Sequence, residues 1–200
     1  MAGRRKLTAE GNTREQIQQA ANALFNEYGF ENTSVAMICE RAGVGKTTLH
    51  YYFPQKKDLI YDLTHYFEDE FSQGLYRVFE KSNYVEQIQE LFQIICDGDL
   101  KYGPKTINFH FQQLLRDEAE KDYTNKVYQR KYLIPIIRQA QQENQINNLC
   151  PPEDLCDALT FAARGVILTW AIEGKSFDLN YRMRVAVESI ISPKRGYETL

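Results

Sequence analysis

Residues 33–59 read TSVAMICERAGVGKTTLHYYFPQKKDL, and this stretch decides the fold. Thr33 or Ser34 can cap a short helix over 35–42, because a side-chain oxygen at that position accepts a hydrogen bond from a free N–H of the first turn. Gly43 ends the helix, where a left-handed residue without a Cβ costs least. A second helix then starts at Gly45 or Lys46 and runs to Tyr52. Two helices joined by a three- to four-residue turn containing glycine make a helix-turn-helix. Ile38, Val44 and Leu49 are the expected inner residues. Cys39, a small hydrophobe, falls where the two helices cross. Lys46, Thr47, His50 and Tyr51 point outward, and donors and flat rings suit phosphate oxygens and base edges.

The same stretch contains a decoy. Residues 43–48, GVGKTT, look like the end of a phosphate-binding loop. That motif needs a glycine five residues before Gly45 and a preceding strand. Glu40 stands at the glycine position, where its carboxylate opposes a phosphate, and AMICERA has a helical pattern.

Working outward, the whole chain reads as all-α. A first helix is expected over 13–28, with Thr13 and Gln16 as a capping box and Ile17, Ala20, Ala21, Leu24 and Phe25 as its apolar stripe. Pro54 breaks the chain after the second motif helix. A long fourth helix follows from 55–57 to about 81, with no flexible linker before it. Further helices are expected over 84–97, 104–118, 122–145 (interrupted by Pro135), 152–174 and 179–192. The expected domains are a helix-turn-helix DNA-binding head over 1–55 and a larger helical ligand-binding and dimerisation body over 56–200.

Composition sets the outer bounds. The chain has 200 residues, 43% hydrophobic and 26% charged, ordinary values for a globular protein. The net charge of −3 hides an asymmetry: residues 1–57 hold eight Lys/Arg against five Asp/Glu, and the rest sixteen against twenty-two. A basic head on an acidic body is the footprint of a DNA-binding domain attached to something else. No secretory signal is recognised at the N-terminus and no apolar run reads as a transmembrane helix, so a cytoplasmic location without a membrane partner is expected. The four cysteines do not make a disulfide scaffold. Cys150 and Cys156, flanking a Pro-Pro loop, are expected to be partly exposed. No catalytic motif, metal-ligand spacing or cofactor is recognised.

The first helix ending in Gly29-Phe30, followed by the quoted stretch, resembles the DNA-binding head of the TetR family of bacterial transcriptional regulators. The resemblance covers about the first 60 residues, through Gly43, Leu49, Tyr52, Phe53, Lys56 and Leu59. It implies that Thr33 anchors the first motif helix on a phosphate, although a plain capping role fits the residue equally. It implies that Gly45, Lys46, Thr47 and Thr48 open the recognition helix on phosphate or bases. His50 and Tyr51 then take base-edge and sugar-phosphate positions, and Tyr52 and Lys56 reach the backbone. Two departures stand out: Gly45 replaces the common Ser cap, and Thr47 the common Gly.

DNA readers of this kind bind as dimers on two half-sites, so double-stranded operator DNA and a second copy of the chain are the expected partners. The last two helices are the expected dimer surface, with Ala158, Ala162, Val166, Val187 and Ile191 as its residues, because a helix apolar on more than one face is buried on more than one side. An unknown small-molecule effector is expected in the body, near Phe67, Phe71, Phe109, His110, Gln113, Arg164 and Trp170. The leading reading is a ligand-released repressor. The alternatives are a ligand-independent or partner-tethered DNA-binding factor and, from a different class, an enzyme with its site in the body.

Overall fold

The computed structural model describes residues 2–116, 127–174 and 176–199, and side chains over 13–60, 71–116, 130–174 and 176–199. Among the described residues there are nine helices: α1 (Ala2–Tyr28), α2 (Val35–Ala42), α3 (Lys46–Tyr52), α4 (Asp58–Phe79), α5 (Tyr84–Tyr102), α6 (Pro104–Arg116), α7 (Val127–Gln142), α8 (Pro152–Glu173) and α9 (Leu179–Ile191). No strand occurs among them beyond one isolated bridge, Ile146 to Pro193.

α1 starts at Ala2, so Thr13 and Gln16 lie inside the helix and form no capping box. Its buried stripe, Ile17, Ala20, Ala21, Leu24 and Phe25, is the one the helical period selects. Ser34, not Thr33, caps α2: its hydroxyl accepts from the Met37 N–H at 3.2 Å. Gly43 ends α2 at φ +66°. There the Val44 N–H donates to the Cys39 carbonyl at 3.0 Å and the Gly43 N–H to the Glu40 carbonyl at 3.3 Å. These two bonds satisfy carbonyls that the helix itself leaves open.

Leu49 and Phe53, both fully buried, fix α3 to Ile38 and α1. The buried apolar residues run without a break from the head into the body. In α4, Leu59, Ile60, Phe71 and Val78 are buried, whereas Phe79 is exposed; the side chains of Leu63, Tyr66 and Phe67 lie outside the described residues. α5 runs through the centre of the body, packed on α4, α7 and α9. Arg77 of α4 and Lys81, two residues past its end, grip the buried Glu90 of α5, at 2.5 and 2.9 Å. Pro135 is accommodated within α7.

Two expectations are corrected here. Cys150 is exposed, but Cys156 is fully buried, and burial raises its thiol pKa. α8 is long and apolar enough to cross a membrane by length and composition alone. In this fold its buried residues, among them Leu155, Leu159, Ala163 and Trp170, join the core against α6, α7 and α9.

Candidate functional site

The recognition helix α3 presents one buried residue and an exposed polar face. Leu49 points in, while Lys46, Thr47, Thr48, His50 and Tyr51 point out, Tyr51 with 75% of its surface free. Gly45 is the N-cap, extended at φ −77° and ψ 155°, with no side-chain cap bond. Tyr52 is half-buried and meets Tyr51 edge-on, with centroids 5.0 Å apart. The His50 imidazole lies 3.2 Å from the Pro54 carbonyl, a contact that ties the ring to the end of the helix.

Thr33 and Lys56 sit elsewhere than on this face. Thr33 is 1% exposed. Its hydroxyl is directed at the carbonyls of Gly29 and Leu24, at 2.8 and 3.2 Å. The Lys56 ammonium donates to the carbonyls of Phe30 and Thr33 at 2.8 and 2.9 Å. It also lies 4.1 Å from the centroid of the Phe30 ring. Burial lowers its pKa. Both residues therefore serve the turn between α1 and α2, where they add donors to its carbonyls. Lys57 next to it is exposed.

The expected effector residues do not converge on one cavity. Phe71 lines a small apolar cavity of about 10 Å³ with Leu91, Phe92, Ile95 and Leu133. Trp170 and His110 are buried in the body, 1% and 2% exposed. Gln113 and Arg164 are half-buried and line no cavity described among these residues. Phe109 lies not within the body but at its junction with the head, stacked on Phe30 with centroids 3.8 Å apart. Phe67 lies outside the described side chains.

The expected dimer residues divide in the same way. Val187 and Ile191 are inside the protomer, 1% and 0% exposed, so α9 turns that edge to its own core. Ala158 is exposed, and Ala162 and Val166 are half-buried. The exposed apolar residues of α8 that sequence reasoning passed over are Phe161 and Ile172, 65% and 63% exposed. With Ala158, Ala162, Gly165, Leu168 and Thr169 they follow the i, i+3, i+4, i+7 spacing of one helix face.

A second link between head and body was also missed. The Asn26 amide donates to the carbonyls of Tyr102 and Asn22 and to the Thr106 hydroxyl. The Asn22 amide donates to the Lys101 carbonyl at 3.1 Å, and the Lys105 ammonium to the Glu27 carbonyl at 2.9 Å. Asn22 and Asn26, one turn apart beside the apolar stripe of α1, were the available signal.

A helix-turn-helix head on an all-helical body with an unpartnered apolar face defines a two-part helix-turn-helix protein. Residues 17–63 match the family model described as bacterial regulatory proteins, tetR family. Over this head the chain is similar to the TetR family. An HTH-type transcriptional regulator of Staphylococcus aureus (strain USA300) is 42% identical over 48 residues, which cover 24% of this chain and 26% of the relative. The match thus spans about a quarter of the curated relative. The fatty acid degradation regulator FadR from Bacillus halodurans superposes with a TM-score of 0.70 at 16% identity, covering 92% of this chain and 96% of FadR. FadR from Bacillus subtilis, solved in complex with stearoyl-CoA, gives 0.65 at 20% identity, covering 89% and 97%. At these identities the likeness is one of fold.

Proposed function

We propose that the protein is a homodimeric transcriptional repressor, released from a palindromic operator by a small molecule bound in the body. The observation that carries this reading is the outward face of α3. Lys46, Thr47, Thr48, His50 and Tyr51 are exposed on a helix whose inner side is locked by Leu49 and Phe53. A rigid helix with exposed donors fits a major groove, where base edges carry a distinct donor and acceptor pattern. Tyr52 and Lys57 flank it as phosphate contacts, with Lys57 in the role that Lys56 leaves vacant.

The exposed stripe of α8 is the natural dimer surface. Its alternation of large residues (Phe161, Leu168, Ile172) with small ones (Ala158, Ala162, Gly165) lets a symmetry-related helix approach closely. α8 and α9 of two protomers then form a four-helix bundle. An effector that parts the apolar seam of Phe71, Leu91 and Leu133, between α4, α5 and α7, acts on α4, which five residues separate from α3. A tilt of α4 moves the two recognition helices out of register with successive major grooves. By linkage, the operator weakens effector binding by the same factor. The acyl-CoA complex of the B. subtilis neighbour supports a small-molecule effector for a body of this fold.

Site selection from random duplex DNA, followed by footprinting at two salt concentrations, tests the proposal. The expected result is a protected near-palindrome with half-sites about one helical turn apart or slightly more. Binding indifferent to sequence and lost at moderate salt would defeat it.

A further inference from the structure

The junction between head and body holds a groove of about 840 Å³, separate from both the recognition face and the Phe71 cavity. Phe30 of the head and Phe109 of α6 both line it, their rings stacked. The end of α5 and the start of α6 form one wall, with Lys101 and Lys105. Leu100 and Ile172, 40% and 63% exposed, give the rim an apolar character.

Three properties decide what such a groove takes. Stacked ring faces and exposed aliphatic groups favour a guest with an apolar or aromatic part. Two lysines against the single lining carboxylate, Glu31, leave a net positive wall. Burial lowers the Lys101 pKa, against the opposing pull of the Glu15 carboxylate. Asn108 and Gln112, one turn apart on α6, supply amides on the same lining. Polar groups set beside apolar surface in a concavity are a general feature of small-molecule sites.

We propose that this groove is a second small-molecule site, selective for an organic anion with an apolar or aromatic portion. The guest rests against the Phe30–Phe109 pair. Phe30 belongs to the turn that Lys56 holds and from which α2 starts, so occupancy acts on the head directly and not through α4. That consequence rests on the DNA-binding reading above; binding itself does not. Ile172 also belongs to the α8 stripe, so a dimer partner borders the groove.

The test uses the full chain and 8-anilinonaphthalene-1-sulfonate, an aromatic sulfonate whose fluorescence rises on binding. One saturable site per chain is expected. The pair Lys101→Met and Lys105→Met should weaken it at least tenfold, and Asn108→Phe, which fills the groove, should remove it. The uncharged N-phenyl-1-naphthylamine should bind the lysine variant as it binds the parent. Melting curves check that each variant folds. Gln112→Trp, at an exposed position, replaces Asn108→Phe should that variant unfold. Sulfonate affinity within twofold of the parent in folded charge and filling variants would overturn the site, as would the absence of saturable binding to the parent. No DNA enters this measurement, so a failed footprint leaves its outcome intact.

Discussion

Thr33 shows how one residue's role depends on where its hydroxyl points. The side chain is sealed under the α1–α2 turn and directed at the Gly29 and Leu24 carbonyls. Replacing it with valine keeps the shape and removes the donor, which costs about 1–2 kcal/mol when a buried acceptor is left unpaired. For a chain of this size that lowers the melting temperature by about 2–8 °C. The slope of log affinity against log salt on the selected operator should not change, because each lost phosphate contact would reduce it by about 0.9. An unchanged melting curve with a shallower salt slope would return Thr33 to the DNA surface. Lys56 follows the same logic: a cation at the start of α4 opposes the helix dipole. The structure resolves that conflict with two loop carbonyls and a ring face, not with a phosphate.

At the scale of elements, the head is held at two places. α4 continues from the motif into the body, and α1 is tied to the α5–α6 corner through Asn22, Asn26, Glu27 and Lys105. Gly103 makes the second tie possible. Its φ is +81°, and a Cβ there would lie 2.4 Å from the Asn26 side-chain oxygen. Gly103→Ala therefore meets both backbone strain and a clash, costing about 1–3 kcal/mol. The expected readout is faster amide hydrogen exchange over the second half of α1, with the centre of α5 protected as before. Equal exchange across α1 would mean that this corner does not hold the head. The α5–α6 boundary itself is legible in the sequence, since Gly-Pro punctuates it. Its contact with α1 is not, because nothing local links residue 26 to residue 103.

For the whole molecule, the decisive surface is α8. Leu168→Glu places a charge in the middle of the apolar stripe without touching the core, so light scattering should report the monomer mass for a folded chain. Val187→Glu should instead unfold the protein, because that side chain is buried within its own protomer. A Leu168→Glu protein with dimer mass would remove this face from the assembly.

The sequence by itself determined the all-α class, the helix-turn-helix over 33–52, the inward Ile38 and Leu49, and the order of the body helices. Each of these follows from local causes: capping oxygens, a left-handed glycine, and apolar residues repeating at the helical period. Periodicity also marks α8 as apolar on two sides. Tertiary structure alone decided which side faces the core, so Val187 and Ile191 went inward while Phe161 and Ile172 stayed outside. It also directed Thr33 and Lys56 to the turn between α1 and α2, away from the exposed face of α3, and brought Phe30 onto Phe109. The physical reason is distance along the chain. Caps and periods are set by neighbours within a turn or two, whereas burial and ring stacking are settled only when remote helices compete for the same space.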